Sequence, residues 1–552
     1  MKKIKHLSIA CLTLLLSGSS FSQIQTNITG LVSYTSDDYS CDDVTISSTG
    51  ILQLTGMTLE MRPGVEITIE DGGQLIVDNS TITKMNVIPS GCQFSQGRWR
   101  GINFTTAAFN DPNVNPAIVI KNGSVIEESS TAIRGYNNLG NSQKARRVEI
   151  SNSTFTNNYT HLYLAYSTDN ILPNVTNSHS TIHNCTFTNG GNKPINLVYS
   201  NDIDFTDNYI SGTTSSQFGL SVYNSRNLYF GYNLFENTGP YGMVFYGSQN
   251  YTTEDMTLLN NRFYSNVTPG NVNLSGYYYT AIYFGWYAQG QPTGTKTKNI
   301  DISYSTLLNT NPNSNETYCG IFTDVLENDN MKIHINYMED FNVGVELNNC
   351  TTANGSYIVE NNFQSCQTAI KSTGDNSQLN VSCNKFMDGA LGIQVQPGSD
   401  LKDQLAFDHM DQYINNTLDI ECLSANQFIY SYSNSNSNYA TIFNGNIAPV
   451  FTPDAAKCEG SGPGQLRQGI AMDDQLSMEI YPNPANAILS IEMSTFSGNG
   501  VIQLIDQLGK VVIDQAVHQQ IEKLDVSKLQ GGLYILQLKS NGETLTEKVI
   551  IK

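Results

Sequence analysis

The sequence predicts an all-β protein: a right-handed parallel β-helix solenoid followed by a small C-terminal antiparallel β-sandwich. Short runs of alternating apolar residues recur through the body of the chain, in most cases every 23 to 28 residues. A longer alternating run precedes them at 51–83, and a Gly-, Ser- and Pro-rich stretch at 458–475 separates them from a last group of alternating runs. Alternation with a period of two is the pattern of strands that bury one face.

The N-terminus has the order of a secretory signal peptide. Basic residues at 2–5 precede an apolar run at 7–16, and small residues follow up to Ser22. This order predicts a signal peptide at 1–22 that is removed on export. The run is too short to cross a bilayer, and no later stretch approaches the roughly 18 apolar residues that would be needed. We therefore expect an exported protein without a transmembrane segment.

Charge excludes one class of partner. The 552 residues include 49 acidic and 29 basic side chains, which gives a formal charge of −20. An acidic chain does not neutralise phosphates, and no basic cluster extends beyond Arg146 and Arg147, so nucleic acid is not expected as a partner. The charge is sufficiently explained by the solubility of a large exported protein.

Cysteine usage fits an exported chain. Nine cysteines remain after the signal peptide, so at least one is left unpaired, and none has the spacing of a zinc site. Their spread favours Cys41 with Cys92 and Cys422 with Cys458, although the sequence does not fix the pairing.

The repeat has two beats. The first is a short alternating run, a corner residue and a core residue, as in VEISNSTFTNN at 148–158. Aligned on Phe155, the core position recurs at Phe187, Ile210, Phe235, Phe263, Leu307, Met338, Phe363 and Phe386. The second beat is a small residue, an aliphatic residue, any residue and then usually an apolar one. It occurs at 219–222, 242–245, 281–284, 320–323, 344–347, 369–372 and 392–395.

Such short strands cannot bury an apolar face alone, but stacked coils enclose one continuous core. A leucine-rich repeat would need a Leu ladder and a helical return segment, which are missing. The pattern therefore predicts a parallel β-helix. In the coil at 148–158 we expect Val148, Ile150 and Phe155 to face inward and Glu149 to face outward.

Asn residues mark the corner after the first strand. Asn152, Asn184 and Asn260 share this place, where Asn tolerates the left-handed backbone conformation. Stacked amides can also bond from coil to coil. We interpret these residues as structural rather than as sugar ligands. The ladder is imperfect, because three coils carry other residues at the corner: Tyr232, Tyr304 and Cys383.

The N-terminal part supports the same fold. The run at 51–83 leads into GRWRGINF at 97–104, whose last four residues match the second beat. This stretch resembles the first coils of bacterial secreted β-helix proteins of the pectin-lyase-like fold, where a W-x-G-I turn follows an apolar ladder. The resemblance implies the fold and carries no chemistry. We expect an N-terminal cap and first coils at 23–125, and the β-helix body with its C-terminal cap at 126–457.

After a linker at 458–475, residues 476–552 predict the small sandwich. This segment resembles the C-terminal sorting domain of proteins exported by the type IX secretion system of Gram-negative bacteria. The resemblance implies passage through the periplasm to the outer surface, with the secretion machinery as partner, and then release or surface attachment. The residues that carry it are Tyr481, Pro482, Asn483, Pro484, Gly509, Lys510, Gly532, Leu533, Tyr534 and Lys548.

Many β-helix proteins cleave polysaccharides, but the known catalytic patterns are missing. A polygalacturonase-like site would need paired Asp residues with His-Gly and Arg-x-Lys segments, and the sequence has neither segment. Asp202, Asp204 and Asp207 near Arg226 suggest calcium, but solvated carboxylates on a strand are commoner. No cofactor, metal site or catalytic residue is predicted, and the sequence leaves open whether the protein is an enzyme.

Tyrosines crowd the region 229–304. Rigid aromatic rings with a polar tip are typical of recognition surfaces, although Tyr is also ordinary strand filler that packs across coils. The hypothesis is a binding or adhesion role, with glycan as ligand. The alternatives are a polysaccharide lyase or glycoside hydrolase and a structural surface component. The carbohydrate-binding candidates are Tyr229, Tyr246, Tyr278, Tyr283, Trp286 and Tyr287.

Overall fold

The computed structural model describes residues 23–551, apart from residues 90–91, 94–95, 105–115, 136–146, 166–178, 192–193, 213–215, 217, 247–251, 266–275, 286–294, 312–315, 349, 351–354, 403–410, 433–441, 452–476, 482–484, 486–487, 495–499, 507–509, 518–520 and 541–542. The predicted signal peptide and linker lie outside the described residues and stay predictions. The chain divides into two compact units, Met1–Gly460 and Ser461–Lys552. Nowhere in the described part is there a helix long and apolar enough to cross a membrane.

The first unit is a solenoid of parallel strands, as predicted. Each complete coil contributes one strand to each of three sheets, which we call sheets 1, 2 and 3 in chain order. In one coil these strands are Val148–Ser151, Thr154–Thr156 and Thr160–Ala165. Equivalent residues of successive coils pair in register, as Phe155 does with Phe187.

The strands of sheet 1 are Leu31–Tyr34, Ile51–Thr55, Gln74–Asp78, Ile118–Lys121, Val148–Ser151, Ser180–His183, Asn201–Thr206, Arg226–Gly231, Thr252–Leu259, Thr295–Ser303, Tyr357–Val359 and Asn380–Ser382. Those of sheet 2 are Asp38–Ser40, Thr58–Met61, Thr81–Lys84, Val125–Glu127, Thr154–Thr156, Thr186–Thr188, Tyr209–Ser211, Leu234–Glu236, Arg262–Ser265, Thr306–Asn309, Tyr337–Glu339, Asn362–Gln364, Lys385–Met387 and Gln412–Ile414.

Those of sheet 3 are Asn27–Ile28, Val44–Ile46, Glu66–Ile69, Gly101–Phe104, Thr131–Gly135, Thr160–Ala165, Ile195–Val198, Leu220–Tyr223, Tyr241–Tyr246, Tyr279–Phe284, Val343–Asn348, Thr368–Thr373, Leu391–Val395, Leu418–Cys422 and Phe443–Gly445. The strand Tyr318–His334 runs through sheet 3 and on into sheet 1. Two further parallel pairs are Asp375–Asn376 with Asp400–Leu401 and Phe428–Tyr432 with Ile447–Phe451.

The inward side chains form one continuous core along the solenoid. Val148, Ile150 and Phe155 are buried and Glu149 is half-buried on the outer side, as the alternation predicts. The Phe155 ring stacks on the Phe187 ring of the next coil, with 5.1 Å between centroids. The core therefore consists of columns of identical or similar side chains, one from each coil.

The small residue of the second beat makes room for the core aromatic residue. A Cβ added to Gly344 would lie 2.6 Å from the Phe363 ring and 2.7 Å from the Ala369 carbonyl oxygen. Gly242 stands in the same relation to the Phe263 ring. The two beats are thus coupled by packing, because the aromatic column of sheet 2 occupies the space beside sheet 3.

The corner between sheets 1 and 2 is left-handed, as predicted. Asn152, Asn184 and Asn260 have φ angles of 48°, 52° and 52°. The three residues that replace Asn adopt the same conformation: Tyr232, Tyr304 and Cys383. Asn184 donates to the Asn152 side-chain oxygen at 2.5 Å, but the longer amide ladder lies one residue further along the chain.

That ladder is buried and has one rung per coil. In its C-terminal stretch, the Asn361 side-chain oxygen accepts from the Asn336 backbone N–H and side-chain amide, both at 3.0 Å. The Asn361 amide donates to the Ile333 carbonyl at 2.9 Å and to the Asn384 side-chain oxygen at 3.0 Å. Other members are Asn208, Asn233, Asn261, Ser305 and Asp411.

The first predicted disulfide, Cys41–Cys92, is confirmed. The second is wrong, because Cys422 is a buried free thiol that donates to the Asn426 carbonyl at 3.6 Å. Cys422 is a core residue at the end of a sheet 3 strand, which places its thiol inside the solenoid.

The second unit contains two antiparallel sheets around one core, as predicted. Their strands are Ser477–Tyr481, Ile488–Ser494 and Ile521–Asp525 in one sheet, and Gly500–Ile505, Val511–Val517, Gly532–Ser540 and Glu543–Ile551 in the other. The turn before Lys510 is closed by its backbone N–H, which donates to the Asp506 carboxylate at 2.9 Å. Residues 482–484 and 509 of the sorting motif lie outside the described residues.

Gly344→Val should lower the free energy of unfolding by about 1–3 kcal/mol, because its side chain overlaps the Phe363 ring and the Ala369 carbonyl. Gly30 is the matched control, since nothing lies within 4 Å of an added Cβ. Thermal and urea midpoints of both variants check this, and equal midpoints would contradict the coupling of the two beats.

Asn361→Ala should lower the free energy of unfolding by about 1–3 kcal/mol, because it leaves buried carbonyl and amide groups of three coils without partners. Asn380→Ala changes an exposed amide on sheet 1 and should stay within about 0.5 kcal/mol of the parent. Urea unfolding measures both. A loss in the control as large as that in the ladder variant would argue against a structural role specific to the ladder.

Candidate functional site

Variation in the length of the connections between strands indicates which face of the solenoid carries the candidate site. Every connection between sheets 1 and 2 is two residues long in the coils from 148 to 387. The connections at the two edges of sheet 3 vary instead, and several are long: 105–117, 136–147, 166–179, 212–219, 266–278 and 285–294. Binding residues concentrate where variable loops flank a rigid scaffold. The outer face of sheet 3 is therefore the candidate site.

In-register pairing places one outward residue per coil in a central column of this face. From the strand Gly101–Phe104 onward, the column is Asn103, Arg134, Tyr163, Asn196, Ser221, Val244, Tyr283, Phe322, Glu346, Lys371, Gln394, Glu421 and Asn444. The column has three zones: polar and tyrosine-rich, then apolar and aromatic, then charged.

The first zone holds a surface that we call the tyrosine face, made of Tyr163, Tyr199, Tyr223 and Tyr246. All four side chains are half-buried. The Tyr199 and Tyr223 rings meet edge-on at 5.4 Å, and the Tyr223 and Tyr246 rings lie 4.8 Å apart. Beside them Ser221 donates to the Asn196 side-chain oxygen at 2.7 Å. The rings of Tyr199, Tyr223 and Tyr246 are thus held in place by one another, with polar groups alongside.

The second zone is closed. Tyr283 is only 2% exposed, and its ring stacks on Phe322 at 5.5 Å and lies 5.2 Å from the Tyr241 ring. Burial raises the pKa of Tyr283. Tyr283, one of the carbohydrate-binding candidates, does not present its ring to solvent, because aromatic residues of both neighbouring coils cover it, together with Tyr277 from the segment before its strand. We call this cluster the aromatic plug.

The third zone is charged and internally paired. The Glu346 carboxylate contacts Lys371 Nζ at 2.9 Å and accepts a hydrogen bond from the Tyr277 hydroxyl. Burial, with the nearby Glu346 carboxylate, raises the pKa of Tyr277, so this phenol keeps its proton. Glu421 accepts from the Gln394 and Asn444 side chains, each at 2.7 Å.

These two carboxylates are poorly placed for joint acid–base work. Three coil steps separate Glu346 from Glu421 in the column, which is about 14 Å at the strand spacing of a sheet. Glycoside hydrolases hold their two carboxyl groups about 5–9.5 Å apart. The pair therefore does not have the geometry of a hydrolase site.

The predicted aromatic residues do not form one surface. Tyr229 lies half-buried on sheet 1, where burial, with Tyr232, Asp204 and Asp207, raises its pKa. Tyr246 belongs to the tyrosine face, and Tyr278 is half-buried just before a strand of sheet 3. Trp286 and Tyr287 lie outside the described residues. The sequence reasoning missed Tyr163, Tyr199 and Tyr223, although Tyr223 directly follows a second-beat segment.

Two of the suggested calcium ligands, Asp202 and Asp204, contact a histidine side chain. His179 contacts Asp202 through Nδ1 at 3.2 Å and Asp204 through Nε2 at 3.1 Å, on the outer face of sheet 1. The Arg226 guanidinium lies 3.9 Å from the Glu254 carboxylate. Within the described ranges, no group of three or more His, Cys, Asp or Glu side chains is arranged to hold a metal ion.

Comparison with known families agrees with both parts of this architecture. Residues 479–552 match the family described as secretion system C-terminal sorting domain, and residues 109–284 match the right-handed β-helix region. The chain is therefore an exported right-handed β-helix protein with a type IX secretion sorting domain. That domain directs it to the cell surface or out of the cell.

Beta-agarase D of Zobellia galactanivorans is 39% identical over 77 residues. The match covers 13% of this chain and only 15% of the agarase, so the agarase activity is not carried over.

Solved structures with some likeness have low identity. The A-module of a mannuronan C-5 epimerase from Azotobacter vinelandii is 11% identical over 72% of this chain and 91% of its own, with a TM-score of 0.33. The tailspike of E. coli bacteriophage HK620, in complex with a pentasaccharide, is 9% identical over 94% and 86%, with a TM-score of 0.34. A mannuronic acid-specific family 6 lyase from human gut microbiota is 12% identical over 78% and 87%, with a TM-score of 0.29. Scores this low identify no ligand.

Tyr283→Ala should lower the free energy of unfolding by about 3–5 kcal/mol, as for other buried aromatic residues, because it opens a cavity in the aromatic plug. Tyr232→Ala is the matched control, since that side chain is 51% exposed. Thermal unfolding followed by circular dichroism distinguishes them. If the two variants have the same thermal midpoint, the aromatic plug is not a packed cluster.

Proposed function

We propose that this exported β-helix protein binds an extracellular polysaccharide along the outer face of sheet 3, with the tyrosine face as the contact surface. The observation that carries the proposal is the ladder of half-buried rings at Tyr199, Tyr223 and Tyr246, on the one sheet whose edges carry loops of variable length. Aromatic rings offer an apolar face to the C–H groups of a sugar and a hydroxyl to its oxygens.

The ladder suits a linear ligand. Successive coils lie about 4.8 Å apart, so an extended polymer parallel to the coil axis would meet the rings of Tyr199, Tyr223 and Tyr246 at successive steps. The rings are already held by edge and tilted contacts with one another, so few side-chain rotamers are lost on binding. The Asn196 and Ser221 side chains lie on the same face and can hydrogen-bond to sugar hydroxyls.

Binding is favoured over cleavage at this surface. General acid–base catalysis needs a titratable side chain within reach of the reacting bond. In the described strands Gly101–Phe104 to Tyr241–Tyr246, the outward positions hold no Asp, Glu or His. His161 faces the interior, where its ring lies 5.8 Å from the Phe187 ring. No specific observation favours the lyase or hydrolase alternative.

The proposal includes the maturation that the sequence predicts. The signal peptide at 1–22 would be removed on export, and a linker at 458–475 would separate the body at 23–457 from the sorting domain. Once the sorting domain has acted, the body would be displayed on the cell surface or released. Polysaccharide outside the cell is then the ligand that the body meets.

Affinity electrophoresis of the protein without residues 1–22, in gels that each contain one polysaccharide, tests the proposal. At least one polymer should retard migration, and Tyr223→Ala should weaken that binding about fivefold or more, the loss of a central aromatic contact. Tyr232→Ala, an exposed Tyr at the corner between sheets 1 and 2, should bind like the parent.

Two outcomes would count against the proposal. Failure of every polymer in a panel of neutral and anionic polysaccharides would remove it. So would equal weakening by the control variant, because the surface would then lie elsewhere. Light scattering of the free protein addresses the structural alternative, which requires self-association without ligand.

A further inference from the structure

Most cysteines of the solenoid are buried free thiols. These are Cys185, Cys319, Cys350, Cys366 and Cys422. Four of them belong to the continuous core, and Cys319 belongs to the aromatic plug. Because their side chains are enclosed by packed residues, these five thiols are not placed to bond with a cysteine outside the solenoid.

Cys383 differs from these five. It is disulfide-bonded and half-buried, and it occupies the left-handed corner between sheets 1 and 2, with a φ angle of 59°. Side chains at this corner point away from the core, since Tyr232 and Tyr304, at the same place in earlier coils, are 51% and 43% exposed. The Cys383 sulfur atom is therefore positioned for a partner outside the core.

Elimination leaves one partner for Cys383 in the exported chain. Nine cysteines follow the predicted signal peptide. Cys41 and Cys92 are bonded to each other, five cysteines are free, and Cys383 is bonded, which leaves Cys458. Cys458 lies outside the described residues, but the compact unit Met1–Gly460 includes its position in the chain.

The length of the chain allows this pairing. The last described strand of the solenoid, Ile447–Phe451, ends seven residues before Cys458. The strand that pairs with it places the Tyr430 ring 6.1 Å from the Tyr413 ring, and the strand of Tyr413 adjoins the one that follows Cys383. Seven extended residues span up to about 25 Å, which is about five coil steps. The segment after the last strand is thus long enough to reach back to the corner.

We propose that Cys383 and Cys458 form a second disulfide, which fastens the start of the predicted linker to the corner between sheets 1 and 2. Its formation joins the two sulfur atoms and releases two protons. Two electrons pass to a protein disulfide of the periplasm, which is reduced to a dithiol. The body then carries one disulfide near each end of the solenoid.

This disulfide encloses the elements that end the solenoid. Between residues 383 and 458 lie the last described strands of sheets 2 and 3, Gln412–Ile414 and Phe443–Gly445. The last coil of a solenoid packs on a neighbour on one side only, so it opens more readily than the coils before it. Three large apolar side chains in this part are exposed: Leu423, Ile442 and Val450. A covalent loop restricts the opened state and so keeps this end closed.

Peptide mapping without reductant tests the pairing, on the chain without residues 1–22 purified from the periplasm of an expression host. Free thiols are blocked by alkylation during denaturation, before digestion with trypsin. Cleavage after Lys and Arg gives the peptides 372–385 and 458–467, each with a single cysteine. We expect these two peptides as one cross-linked species that separates on reduction, and alkylation of the five buried thiols. Alkylation of Cys383 or Cys458, or a link from either to another cysteine, overturns the proposal.

Limited proteolysis under native conditions tests the role of the bond. Cys458→Ser should accelerate cleavage within residues 384–457 about tenfold or more, and Cys383→Ser should do the same. The double variant should be cleaved no faster than either single variant, because all three lack the same bond. Cys41→Ser, which opens the other disulfide, is the positional control and should leave cleavage within residues 384–457 unchanged.

The outcomes separate the pairing from its role. If the double variant is cleaved faster than both single variants, the two cysteines act independently and the proposal is overturned. If the parent carries the cross-linked peptides but all variants are cleaved like the parent, the pairing stands and the closing role is overturned. Far-ultraviolet circular dichroism like that of the parent shows that each variant is folded before proteolysis begins.

Discussion

The buried amide ladder behind the corner between sheets 1 and 2 is the constraint on which the rest of the solenoid depends. Each Asn rung satisfies a backbone N–H and a strand carbonyl of the preceding coil, as Asn361 does for Asn336 and Ile333. Buried polar groups must be paired, so an inserted residue would leave several unpaired at once. In the coils from 148 to 387 the corner consequently keeps two residues, and length variation lies at the edges of sheet 3.

That confinement gives the molecule one rigid side and one variable side. In-register stacking then places the outward residues of successive coils side by side in sheet 3, as it does Tyr223 and Tyr246. It also explains why the aromatic-rich region divides into parts with different environments. The Tyr283 ring lies between the rings of Tyr241 and Phe322, which shield it from solvent. Tyr223 lies next to Ser221 and between Tyr199 and Tyr246, and stays half-exposed.

Much of the fold followed from the sequence, because alternation and corner chemistry are local. The inward positions Ile150 and Phe155 and the left-handed corner at Asn152 needed only the period-two pattern and the tolerance of Asn for positive φ. The candidate site followed only in part. The exposure of an outward side chain depends on which residues of the adjacent coils and of the preceding segment cover it. The alternation pattern distinguishes inward from outward positions but does not predict this covering. Tyr283 was misassigned for this reason, and Cys422 was wrongly paired because its burial depends on the whole coil.

The sequence by itself determined that the chain is a stacked β-solenoid followed by a sorting domain, since both are encoded in short-range patterns and contiguous motifs. It also determined that the His-Gly and Arg-x-Lys segments of a polygalacturonase-like site are missing. Only the tertiary structure decided which of three sheets carries the candidate site, that the ladder lies one residue after the corner, and that Arg134 lies beside Tyr163. These features join residues about one coil or more apart, and their contacts exist only once the register between coils is fixed.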